Sequence, residues 1–128
     1  MVAPLDECVF CDIVAGRAEA DMVFQSEEHC CIQDRYPVTK GHALLFPKRH
    51  IQYLEAADWE SLTAALDRAI DAVCSNTEPD GLNVGLNDGA AAGQTIPHLH
   101  WHIIPRNEGD MENPDGGVRG VIPSKQQY

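Results

Sequence analysis

The stretch Gly93-Gln94-Thr95-Ile96-Pro97-His98-Leu99-His100-Trp101-His102-Ile103-Ile104-Pro105-Arg106 sets histidines at every second position. Two residues is the side-chain period of a β-strand. The pattern predicts a strand that carries His98, His100 and His102 on one face. Leu99, Trp101 and Ile103 then line the other face, which belongs to the core. A helix would scatter the same imidazoles around its circumference.

Outward from this strand, the chain resolves into a small set of elements. Cys8 to Ala15 reads as a short helix with Gly16 as its stop. Met22–Ser26 and His29–Gln33 read as strands of a hairpin, and Gly41–Pro47 as a third strand closed by its proline. Apolar residues at Trp59, Leu62, Leu66, Ala69, Ile70 and Val73 have helical spacing, with Asp58 as N-cap, so a long helix is expected over 59–75. Leu82–Asn87 gives a fourth strand, and the histidine strand is the fifth. Short connections favour antiparallel pairing. The expected class is α+β: a five-stranded antiparallel sheet with one long and one short helix. The chain reads as one domain, 1–128, with 107–128 as an extended C-terminal tail packed on it.

Composition narrows the function. The net charge of −11 repels a phosphate backbone, so nucleic acid is not an expected partner. A small phosphorylated ligand in a locally positive pocket remains compatible with it. No apolar run approaches the roughly 18 residues of a membrane span. Met1–Glu7 has neither a basic segment nor an apolar core, so it does not read as a signal peptide. Five cysteines are an odd set, which argues against a secreted disulfide framework and for a cytoplasmic protein.

On a straight strand, His98 and His102 stand roughly 13 Å apart, too far for one metal to bind all three histidines. The middle imidazole can instead act as a nucleophile while its neighbours orient it and contact substrate. Gly93 lets the backbone approach an anion, and the amides of Gly93, Gln94 and Thr95 can donate to phosphate oxygens. The geometric competitor is a nickel, copper or zinc site using two of the three histidines. Cys8-Val9-Phe10-Cys11 is a lone C-x-x-C, to which zinc would need two further ligands. Cys30, Cys31 and Cys74 sit in apolar patterns and read as small buried hydrophobes.

The run from His98 to Ile104 resembles the His-φ-His-φ-His-φ-φ signature of the histidine triad family, where φ is apolar. Cys8–Gly16, Gly41–His50 and Gly93-Gln94-Thr95 resemble that family's opening helix, central strand and Gly-Gln-Ser/Thr loop, and the chain is most similar to the phosphoramidase-like branch. The resemblance implies that His100 attacks the α-phosphorus of a nucleotide, such as a purine nucleoside phosphoramidate, to give a nucleotidyl-histidine. It implies that His102 contacts the phosphate and that Thr95 holds and helps protonate the leaving group. Asn87 and Gln94 match positions that bind ribose or phosphate, Asp34 one that accepts from ribose hydroxyls, and Phe10, Ile13 and Ile32 would line the base pocket. It further implies a structural zinc on Cys8, Cys11, His50 and His98, and a homodimer joined through its sheets with the long helix at the interface. Two other activities fit the triad: hydrolysis of dinucleoside polyphosphates, or a zinc-stabilised nucleotide-binding regulator.

Overall fold

The protein is described from a computed structural model covering residues 7–128, so the reading of Met1–Glu7 falls outside the described residues, Glu7 excepted. Its ordered elements are α1 (Val9–Val14), β1 (Met22–Gln25), β2 (His29–Gln33), β3 (Ala43–Pro47), α2 (Trp59–Thr77), β4 (Gly81–Gly85) and β5 (Trp101–Arg106). The five strands form one sheet in the order β1-β2-β3-β5-β4, antiparallel at every pairing. This is the expected class and strand count. Among the described residues, no helix is long and apolar enough to cross a membrane.

The centre of the sheet is apolar on both faces because both are covered. All five residues of β3 are buried. Ala43 and Leu45, with Cys31 and Ile103, face α2, which presents Leu62, Ala65, Ala69 and Val73. That spacing is one helical stripe, begun by the Asp58 carboxylate accepting from Ser61 N–H. Leu44 and Phe46 point the other way and pack with Cys8, Phe10, Cys30 and Ile32. Each fully buried Leu, Val or Phe contributes about 1.5–3 kcal/mol. Gly41 closes the turn into β3 at φ +89, where a Cβ would also collide with the Thr77 methyl at the end of α2. Only glycine satisfies both constraints there.

The fifth strand departs from expectation. It begins at Trp101, so His98 and His100 precede it and only His102 lies within it. The register Leu45↔Trp101 would go on to pair Phe46 with His100 and then Pro47 with Leu99. Pro47 has no N–H, its carbonyl accepts from His98 Nε2 at 2.7 Å, and Leu99 N–H goes instead to Ile51 O at 2.7 Å. The ladder stops because a side chain has taken its acceptor. Four 3-10 segments among the described residues also went unpredicted: Leu54–Ala56, Ala90–Ala92 and, in the expected extended tail, the consecutive turns Gly117–Val121 and Pro123–Lys125.

Candidate active site

The three imidazoles reach the face opposite α2 even though two of them are outside the strand. His98 sits edge-on to Phe10 and Phe46, His100 edge-on to Phe10, and the His100 and His102 rings are 5.2 Å apart. Each is held by a different partner, and the partners fix which nitrogen carries the proton. His100 Nδ1 donates to the His98 carbonyl at 2.8 Å. A neutral ring so held keeps its lone pair on Nε2, which suits a nucleophile.

His102 is oriented through a residue the sequence reading passed over. Val38 N–H donates to His42 Nδ1 at 3.1 Å, so the neutral His42 ring carries its proton on Nε2. That Nε2 lies 2.9 Å from His102 Nδ1 and 3.5 Å from Asp34 Oδ2. His102 Nδ1 is then the acceptor, and its Nε2–H is left to donate. Burial, followed by the neighbouring His100 and His42, pushes His102 down to about 4. Burial also lowers His42, opposed by the Asp34 carboxylate. The signal for His42 was available: it lies two residues before Leu44, which the register sets opposite His102.

His98 belongs to a second cluster. With Nε2–H donated to Pro47, its Nδ1 lone pair lies 3.3 Å from Cys8 Sγ and 3.6 Å from Cys11 Sγ. His50 Nδ1 lies 3.2 Å from Cys11 Sγ, and the four ligand atoms are all within 4.8 Å of one another. A tetrahedral zinc with ordinary bond lengths sets a sulfur and a nitrogen ligand about 3.5 Å apart. Two soft thiols and two imidazole lone pairs at that spacing fit a structural zinc. Burial, with the Cys8 thiol adding to it, pushes the Cys11 thiol up to about 11. Burial takes His98 down to about 4, which keeps it neutral for ligation. Each of the five cysteines is a free thiol, and Cys30 and Cys31 are buried as expected.

Two clefts lie beside the residues that touch His100, one lined by Phe10 and the other by His102. One, of about 960 Å³, is lined by Phe10, Ile13, Ile32, Leu44, Ile96 and Asp34, which brings the residues expected at the base together with the carboxylate expected at the ribose. Asp34 Oδ1 accepts from Tyr36 N–H at 2.9 Å. The other, of about 580 Å³, holds His102 and Asn87. The 89–96 loop offers less than expected. The N–H groups of Gly93 and Gln94 are bonded to Ala90 O and Gly89 O. Gln94 Oε1 accepts from Gly89 N–H, and Nε2 donates to Gln52 O and Ile96 O. Gln94 therefore pins the loop with both of its N–H donors. Of the three amides, the N–H of exposed Thr95 has no partner among the described residues.

Comparison with known proteins returns one family. A HIT domain model matches residues 15–109. The adenylylsulfatase HINT3 of Arabidopsis thaliana is 38% identical over 109 residues, covering 82% of this chain but 55% of that protein, so this chain spans just over half its length. The Bacillus subtilis (strain 168) protein hit is 38% identical over 79% of this chain and 72% of its own. Among solved structures, a zinc-bound histidine triad family protein from Mycobacterium smegmatis superposes with a TM-score of 0.76 at 37% identity, covering 86% of this chain and 82% of that one. A HIT-like protein involved in cell-cycle regulation from Bartonella henselae gives 0.76 at 31% identity, covering 85% and 86%.

Proposed function

This chain belongs to the histidine triad (HIT) family, and on that premise we propose that it is a nucleotide phosphoramidase, a nucleotidyl hydrolase working through His100. The observation that carries the reading is the 2.8 Å bond from His100 Nδ1–H to the His98 carbonyl, which reserves Nε2 for attack. The base and ribose would occupy the cleft of Phe10, Ile13, Ile32 and Asp34, with Asn87 near the phosphate. His100 Nε2 bonds to the α-phosphorus as the P–N bond breaks. The amine takes a proton, for which the Thr95 hydroxyl is the candidate donor, and departs. His102 Nε2–H donates to a phosphate oxygen. Water then breaks the P–Nε2 bond and releases the nucleoside monophosphate with a free imidazole.

Cys8, Cys11, His50 and His98 would hold a structural zinc, which when bound ties α1 and the chain after β3 to the peptide whose carbonyl holds His100. The unpaired outer edge of β4 and half-exposed Trp59 on α2 support a homodimer joined through sheet and helix. Five free thiols suit a reducing, cytoplasmic compartment.

A second reading, hydrolysis of adenylyl sulfate, is favoured by the likeness to an adenylylsulfatase and uses the same attack with sulfate as leaving group. The test common to both is His100→Ala. Hydrolysis of an adenosine phosphoramidate should fall by at least about 10⁴-fold, and acid-quenched wild-type protein should carry an adenylyl group that the variant lacks. Turnover surviving in a folded variant overturns the assignment. Wild-type rates on the phosphoramidate and on adenylyl sulfate rank the two substrates.

A further inference from the structure

One histidine belongs to neither cluster. His29 opens β2, two residues before Cys31, so it turns to the face that α2 covers. It is 4% exposed. The Ser26 hydroxyl accepts from its backbone N–H at 3.2 Å, and its carbonyl accepts from Ser26 N–H at 2.9 Å. Neither ring nitrogen has a hydrogen-bond partner among the described residues. A buried imidazole in that condition costs free energy until something bonds to it.

The ring lies where two adjoining clefts meet at the start of α2, of about 420 and 320 Å³. The larger is lined by four carboxylates, Glu27, Glu28, Asp58 and Glu60, and by one cation, Arg68. The Arg68 guanidinium lies 4.9 Å over the Phe24 ring. Among the described residues, no ion pair engages Arg68 or any of the four carboxylates. Asp58 Oδ1 accepts from Ser61 N–H as the cap of α2. Burial lowers His29, opposed by the nearby Glu28 and Asp58 carboxylates, so near neutral pH the ring offers a lone pair. The smaller cleft ends against Lys48 and Arg49, which confines a cation to the larger one.

The donor set separates two kinds of cation. A metal ion needs convergent ligands. Among the described residues, the sets of three ligand atoms within 4.8 Å of one another do not include His29. An ammonium group has three donors that can reach acceptors in separate directions. Its methylene chain also needs apolar surface, which Phe24, Ala64 and Ala65 supply in the same cleft.

We propose that this cleft binds an aliphatic diamine or polyamine, with one ammonium donating to the His29 ring beside Asp58 and Glu28. The second ammonium faces Glu27 and Glu60, and the chain between them lies on Phe24 and the two alanines. The site is on the opposite face of the sheet from His100, so it stands or falls apart from the catalytic reading.

The test is calorimetric titration of the zinc-saturated protein with 1,4-diaminobutane at pH 7.5 and low salt, with butylamine alongside. The diamine should bind with a Kd of about 1 mM or below, at least about fivefold tighter than butylamine. His29→Phe leaves the net charge at that pH unchanged, so it spares any diffuse attraction to a chain of −11. It should weaken the diamine at least about fivefold. Asp58→Asn keeps an N-cap side chain and should weaken it as much, which gives an independent reading should His29→Phe fail to fold. Glu112→Gln, which removes a charge on the distant tail, should stay within about twofold. Equal affinity for butylamine overturns the proposal, as does diamine binding that Asp58→Asn leaves intact. Nickel shifting the His29 ring signals in NMR spectra that the diamine leaves unmoved also overturns it, and marks a metal site instead.

Discussion

Two histidine clusters flank His100, and the same residue type does different work in each. On one side His98 and His50 turn Nδ1 toward two cysteine sulfurs at 3.2–3.6 Å. On the other, His42 and His102 stand 2.9 Å apart beside the Asp34 carboxylate. Both groups have the composition of a metal site. The hydrogen bonds around them separate the two. In the first, Pro47 O takes the far proton of His98 and leaves a lone pair among soft donors. In the second, Val38 N–H occupies His42 Nδ1, and the 2.9 Å contact is shorter than the about 3.3 Å between two nitrogens on a tetrahedral zinc. A shared proton fits that gap, and an ion does not. The backbone groups nearby, more than the residues themselves, set what each imidazole can do.

The largest expected effect comes from emptying the first cluster. Cys8→Ser or Cys11→Ser should lose zinc stoichiometry by elemental analysis, and chelation of the wild type should mimic them. A metal held at a thousand times its Kd stabilises by about 4 kcal/mol, which for a chain of this size is on the order of 10–20 °C in Tm. Asp34→Asn in the second cluster should leave zinc content unchanged. If zinc instead follows Asp34, the two clusters have been read the wrong way round.

Next in size is His42. His42→Phe removes the donor that fixes His102 without touching the residues proposed to contact substrate. kcat should fall about 10–100-fold while KM stays within about threefold, with zinc content unchanged. His42→Gln restores an N–H near the same place and should recover part of the loss. A fall in KM-dependent binding with kcat intact would make His42 a packing residue only.

The contrast also shows what a sequence carries. Local pattern sufficed for the sheet, because β3 and α2 are decided by burial at fixed periods: Ala43 to Pro47 without interruption, and Leu62, Ala65, Ala69 and Val73 on one stripe. The cysteine–histidine set was reached through family likeness, since 90 residues separate Cys8 from His98 and spacing alone says nothing across that gap. What escaped depends on contacts that no periodic pattern joins. The late start of β5 follows from His98 taking the Pro47 carbonyl. Gln94 has the residue type of a ligand binder, yet both its N–H donors go to Gln52 and Ile96 and its Oε1 accepts from Gly89. The tail has no periodicity because its turns are held by Gln126 against Gly116 and Gly120, a packing of three separated residues.

The smallest effect tests the second cluster through pH. Burial lowers His102 from 6.5 to about 4 in the folded protein. Above pH 6.5 the ring is neutral in both states and contributes no pH dependence. Below it the unfolded chain takes up a proton that the folded chain refuses until about pH 4, so stability drains as pH falls between the two. His42, lowered in the same direction, adds to the loss. The unfolding free energy of zinc-saturated protein in urea should therefore drop from pH 7.5 to pH 5, and that of His102→Gln, with no titrating ring there, should drop by about 1–2 kcal/mol less. Comparing the two proteins at equal zinc cancels the proton uptake of the cysteine–histidine cluster, which both retain. Parallel curves for the two would mean that His102 is already solvated enough to ionise, and with that the chain from Asp34 through His42 would lose its claim to hold a neutral, donating imidazole.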